Sequence, residues 1–145
     1  MSDLSLSGET LLIQLINEAN PNPPFGAFTT GSFTFGNPST LSNDLTTKNS
    51  SLVVTAKDTS HYFGTQTVKY NRLDIRNVLI GKGSPTPSFE NNSFAASTDL
   101  VDSLNSMFNL ALTEADIVSE TLPDPDNNGN VNSTVQIHPN YLTYT

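Results

Sequence analysis

The sequence predicts an α+β fold: a small antiparallel β-sheet with flanking helices and an extended arm rich in aromatics and proline. Three observations carry this. Apolar residues recur at helical spacing over residues 8–20 and 98–109; two Thr-, Val- and Tyr-rich segments at 51–57 and 62–70 are separated by turn residues; and residues 21–43 are dense in Phe, Pro and Gly. At 145 residues the chain has the length of one domain, read as residues 1–145 with a helix at 8–20, an arm at 21–47 and an α+β body at 48–145.

The elements follow in order. Ser7 is a good N-cap, Glu9 suits the positive end of a helix dipole, and Leu11, Leu12, Leu15, Ile16 and Ala19 form one stripe that Asn20-Pro21 ends. The arm carries Phe25, Phe28, Phe33 and Phe35; its residues 27–35 are strand-like, but Gly31 and the prolines make it an edge or an extended segment. Asp58-Thr59-Ser60 turns the chain between the two β segments into a hairpin whose Thr65, Thr67 and Lys69 face solvent. Residues 72–80 read as a short helix closed by Gly81, and residues 82–92 as a loop holding Pro85 and Pro87. Thr98 or Ser97 caps the next helix, in which Leu100, Leu104, Met107 and Phe108 share a face; Thr113 to Asp116 has the pattern of a capping box. Residues 122–130 form a loop, and residues 131–144 one or two strands broken by Pro139. The hairpin is expected at the centre of the sheet, with both long helices covering it.

Composition restricts function more than it assigns it. Ser 17, Thr 18 and Asn 17 make over a third of the chain, against 14% charged residues, so the surface is neutral and hydrogen-bonding. The absence of cysteine removes disulfides, thiolate metal sites and a cysteine nucleophile. No apolar run reaches the roughly 20 residues of a bilayer crossing, and the first ten residues lack the pattern of a signal peptide, so no membrane is expected as a partner. Charge falls in blocks: net −4 over residues 1–47, net +4 over 48–82, which hold all six bases, and net −8 from residue 83 on. Six bases in an acidic chain cannot neutralise a phosphate backbone, so no nucleic acid is expected either.

Catalytic chemistry is not expected. His61 and His138 lie in turn-forming stretches without partner motifs, and Gly81-Lys82-Gly83-Ser84 lacks the first glycine and following helix of a phosphate loop. Asp99, Asp102, Glu114 and Asp116 read as acids at helix starts. One metal pattern is weighed: Asp124, Asp126 and Asn128 before Gly129 follow the spacing of a calcium loop, but Val135 stands where the bidentate Glu belongs, and a solvated loop is the better reading. No cofactor is expected.

LIQLINEAN at 12–20, LVVTA at 52–56, GTQTVKY at 64–70, YNRLDI at 70–75, the helix starting near Asp99 and LALTEADI at 110–117 together resemble a small domain found in virion structural proteins of large tailed bacteriophages. The resemblance spans roughly residues 10–122. It implies particle assembly, with location on the virion, and no chemistry on a substrate; in the YNRLD segment it implies a buried Tyr70, a capping Asp74 and an Arg72 free to pair with a carboxylate. The expected partners are other virion proteins and copies of the chain itself, engaged through Phe25, Phe28, Phe33, Phe35, Arg72 and Arg76, in a capsid-decorating or tail- or neck-associated position. The alternative is a fibre or adhesion module that binds a host surface or glycan through the hydroxyl-rich face of the hairpin.

Overall fold

A computed structural model of the chain describes residues 3–42, 45–83, 86–90 and 94–145. Ser84 and Pro85, named above, lie outside the described residues, as do residues 43–44 of the arm and 91–92 of the loop. The fold is α+β, with three α-helices and a four-stranded antiparallel sheet among the described residues.

Helix α1 (Gly8–Ala19) is capped by Ser7, whose hydroxyl accepts the N–H of Thr10, and it buries Leu11, Leu12 and Ile13. Strands β1 (Phe33–Phe35) and β2 (Ser39–Thr40) both lie along one edge of β3 (Ser50–Ala56), and β4 (Thr65–Tyr70) lies along the other. β1 and β2 are one edge strand interrupted at Gly36-Asn37-Pro38. The Gly36 N–H still reaches Val53 O at 2.8 Å, but a Cβ at Gly36 would sit 3.3 Å from that oxygen, and Pro38 has no N–H to give the ladder. The second half of the arm is therefore part of the sheet. Pairing satisfies its backbone, which a free arm would leave to water.

Side chains alternate across the pleat. Leu52, Val54 and Tyr70 are buried on one face with Phe33, Phe35 and Val68, and Leu12 of α1 covers them. The opposite face carries Thr34, Val53, Thr65, Thr67 and Lys69, all exposed. β4 starts at Thr65 instead of Tyr62, because Ser60 and its neighbours close a longer turn: the Ser60 hydroxyl donates to the Lys57 and Tyr62 carbonyls and accepts the Tyr62 N–H.

A second core takes the place expected for a helix-covered sheet. Helix α2 (Ile75–Gly81), capped by Asp74 through the Arg76 N–H at 2.8 Å, packs with α3 (Val101–Phe108) against Leu110, Leu112, Ile117, Tyr141 and Tyr144. Helix α3 is thus not on the sheet: its buried Val101, Leu104 and Phe108 meet α2 and residues from 110 onward. Its entry is a 3₁₀ turn, Ser97–Leu100, whose cap is neither Ser97 nor Thr98. The Asp99 carboxylate accepts the N–H groups of Ala95 and Ala96 at 2.8 and 2.9 Å. Ser97 is fully buried and joins two segments, donating to Val118 O and accepting from Glu120 N. The capping-box pattern at Thr113 holds in substance, since Asp116 accepts both the N–H and the hydroxyl of Thr113.

Residues 131–144 do not form strands. They make single bridges, Ile117 with Ile137 and Leu73 with Tyr144. The carbonyls of Pro139 and Tyr141, which a ladder would require, are taken by Arg72.

Candidate interaction surface

The Phe-rich arm and the hairpin turn meet at one end of the sheet, where Phe33 pairs with Ala56 and the chain leaves β3. Phe28 packs against Phe33 at 5.1 Å and against Tyr62 at 5.0 Å between ring centroids, and Phe25 lies 5.1 Å from His61 and 5.5 Å, edge-on, from Tyr62. Such tilted and edge-on pairs suit the ring quadrupoles. Asn17 of α1 holds the arm in place, donating to Phe28 O at 2.9 Å and accepting the Phe28 N–H at 2.8 Å, as a neighbouring strand would. The Lys57 ammonium donates to Thr30 O and its N–H to Ser32 O, which fastens the turn to the arm.

This cluster has a closed base and an open rim. Phe28 and Phe33 are half-buried, whereas Phe25 is 60% and Phe63 97% exposed. Two exposed phenylalanines at one end of a polar protein present apolar area that water solvates poorly. Of the four arm phenylalanines, Phe35 belongs to the sheet core, not to this rim. Sequence reasoning missed His61, Tyr62 and Phe63, although an aromatic triplet beside turn-forming residues was its available signal. Asn17 was hidden among the polar positions of an amphipathic helix.

Arg72, expected at an interface and free to pair with a carboxylate, is instead turned into the fold. It is 5% exposed and its guanidinium donates to Ser50 Oγ (2.8 Å), Pro139 O (2.7 Å), Tyr141 O (3.4 Å) and Thr40 Oγ1 (3.2 Å), all neutral oxygens. Burial of a cation is tolerable only with such dense hydrogen bonding, and the rigid fork of Arg supplies it. The side chain of Asn49 clamps the Arg72 backbone at both its N–H and its carbonyl, each at 2.8 Å. Lys82 likewise caps the end of α3 by donating to Phe108 O. Of the basic block, Arg72 is turned inward, Lys57 and Lys82 donate to main-chain carbonyls nearer the surface, and Arg76 stays exposed on α2.

The Asp124, Asp126, Asn128 loop closes on itself. The Asp126 carboxylate accepts the N–H groups of Asn128 and Asn130, both at 2.8 Å, which hold its pKa below the ordinary Asp value. Among the described residues no group of three or more His, Cys, Asp and Glu side chains is placed to hold a metal ion. His138 accepts the Asn140 N–H through Nδ1, and His61 stacks on Phe25. Among the described residues no helix is long and apolar enough to cross a membrane.

The model of the family of unknown function (DUF7941) matches residues 1–145. The chain belongs to this family. No curated protein and no solved structure matches it. The surface of this DUF7941 member turns Phe25 and Phe63 outward where the arm meets the hairpin turn.

Proposed function

We propose that the protein is a non-enzymatic structural component of a bacteriophage particle, present in many copies and acting through protein–protein assembly at a capsid-decorating or tail- or neck-associated position. One observation carries the reading from the structural side: Phe25, 60% exposed, packs edge-on against Tyr62 above Phe28 and Phe33, and the 97% exposed Phe63 follows Tyr62 in the chain. A ring held by packing beneath it, as Phe25 is by His61 and Tyr62, makes an efficient anchor, because little side-chain entropy is lost when a partner covers it. The use of Arg72, Lys57 and Lys82 as donors to the chain's own carbonyls also supports a partner other than nucleic acid. Quantitative mass spectrometry of purified particles tests it: many copies per particle support it, and absence from particles overturns it.

A second reading, a host-surface or glycan-binding module, is favoured by the exposed face of Thr34, Thr65 and Thr67, which offers hydroxyls in a flat array. Binding on a glycan array that is lost in Thr65→Val and Thr67→Val variants would select it.

A further inference from the structure

We propose that two copies of the chain pair through the outer edge of β4, antiparallel about a two-fold axis, so that Phe63 of each copy enters an apolar groove of the other. The edge is the first of three observations that meet here. Thr55 stands opposite Thr65 in the β3–β4 register, and the Ala56 N–H bonds Gly64 O at 3.0 Å, so bonded positions fall on the even residues of β4. Val53, opposite Thr67, turns its carbonyl the other way, to the Gly36 N–H. The main-chain N–H and C=O of Thr65 and Thr67 therefore point away from β3, and among the described residues no strand lies on that side. β4 runs through six consecutive pairs without proline or bulge, and Thr65, Gln66 and Thr67 are exposed. Such an edge is a template for a further strand. The Gln66 amide donates to Thr67 O at 3.2 Å, a contact of an exposed side chain that an incoming main-chain N–H replaces.

The other two observations lie at opposite ends of this strand. Just before it stands Phe63, 97% exposed. At its far end α1, the residues after Tyr70 and the C-terminal segment leave a groove of about 130 Å³, lined by Leu11, Leu12, Leu15, Tyr70, Leu73 and Leu142, of which Leu15 and Leu73 are each 40% exposed. Thr65 and Tyr70 are about 17 Å apart along β4, so the Phe63 of a chain does not reach its own groove. Antiparallel pairing of two β4 strands sets the start of each beside the end of the other and brings both Phe63 rings to both grooves at once. This self-complementarity selects a second copy over an unrelated strand. The register centred on Thr67 sets each Thr67 against its counterpart and position 63 against Asn71, which also lines the groove. Gly64, at a φ of 88°, breaks the pleat between Phe63 and β4, so Phe63 is not tied to the outer face. Each Lys69 then faces Thr65 of the other copy, and like charges do not meet. The inference rests on the assembly reading only in taking Phe63 as a contact residue.

The test uses the full chain in solution. Sedimentation velocity over a concentration series is expected to show a monomer–dimer equilibrium that Phe63→Ser and Thr67→Pro each weaken by at least about ten-fold. The Thr67 N–H makes no bond to β3, so proline there should leave the melting temperature of the dilute protein little changed. The chain has no cysteine, so Thr67→Cys supplies a single thiol that the two-fold axis places beside its counterpart, within disulfide range. It should close an interchain disulfide several-fold faster than Thr34→Cys, which lies on the same exposed face but on β1. A protein that stays monomeric, assembles beyond a dimer, pairs undiminished after Phe63→Ser, or cross-links equally from positions 34 and 67 would overturn the pairing. Where Thr67→Pro unfolds the chain, the Phe63 and cysteine arms decide. No particle enters this test, so its failure leaves the copy-number test of the functional reading untouched.

Discussion

Arg72 ties three segments to its own through one side chain: β2 through Thr40, β3 through Ser50, and residues 139–141 through the Pro139 and Tyr141 carbonyls that lead into the second core. Its removal leaves buried acceptors unpaired, so Arg72→Leu is expected to lower stability by about 3 kcal/mol or more, and Arg72→Lys by less, since an ammonium keeps the charge without the fork. Urea melts of both variants check this; a loss under about 1 kcal/mol for Arg72→Leu would contradict it. The tyrosines give a second expectation. Burial pushes the phenols of Tyr70 and Tyr144 up to about 12, and that of Tyr141 upward as well. A folded-state pKa above the unfolded value of 10 adds stability that is complete below pH 10 and is lost as pH rises toward the folded value. Alkaline unfolding should therefore begin above pH 10, with phenolate absorbance rising together with loss of structure. Asp99 behaves in the opposite sense: the Ala96 and Ala95 N–H groups hold its carboxyl below 3.8, so its contribution is present above that value and fades as pH falls below it. Asp99→Asn should flatten the acid limb of a stability-against-pH curve.

At the scale of elements, periodicity made some of the fold legible in the sequence and long-range use of carbonyls hid the rest. The Ser7 cap, Leu11 and Leu12 of the first stripe and the outward Thr65, Thr67 and Lys69 follow from local chemistry and stand where the residues predicted them, whereas Leu15 is exposed and Ile13, outside the expected stripe, is buried in its place; the Asp74 cap stands as the family resemblance implied. Residues 131–144 look like strand because Val135, Ile137, Tyr141 and Tyr144 are spaced apolar residues, but a distant arginine decides their backbone partners. The amphipathic pattern of α3 announced a buried face without saying which partner it buries against, and the partner is α2 with residues 110–144. The candidate site was half legible: the arm phenylalanines were visible by composition, while their contact with Tyr62 and His61 depends on the hairpin folding back. Gly8 gives a test of close packing between elements. Gly8→Val should destabilise by about 1–3 kcal/mol through overpacking against Tyr141 and Thr143, whereas Gly81, with open space around it, should accept alanine within about 0.5 kcal/mol. Equal effects at the two positions in thermal melts would show that the approach of α1 to residues 141–143 is not tight.

The molecule as a whole has two cores joined by shared segments: Leu142 packs with the sheet cluster while Tyr141 and Tyr144 fill the other, and Leu4, from before α1, packs against the second. Such interleaving couples the halves, so Leu52→Ala and Leu104→Ala, one in each core, should each cost about 2–5 kcal/mol and shift one common transition. The calcium pattern belongs at this scale too. Asp126→Ala should change the melting temperature equally with calcium or with chelator, because its partners are loop N–H groups; a difference between the two would restore the metal reading. In the proposed role, the exposed Phe25 and Phe63 hold many copies of this protein on a particle. The most direct measurement is the copy number, in purified particles assembled from an equal supply of both chains, of wild type against Phe63→Ser. Phe63 is 97% exposed, so the substitution should leave the melting temperature of the isolated chain unchanged while its incorporation falls several-fold. Equal incorporation of the two chains would contradict the account.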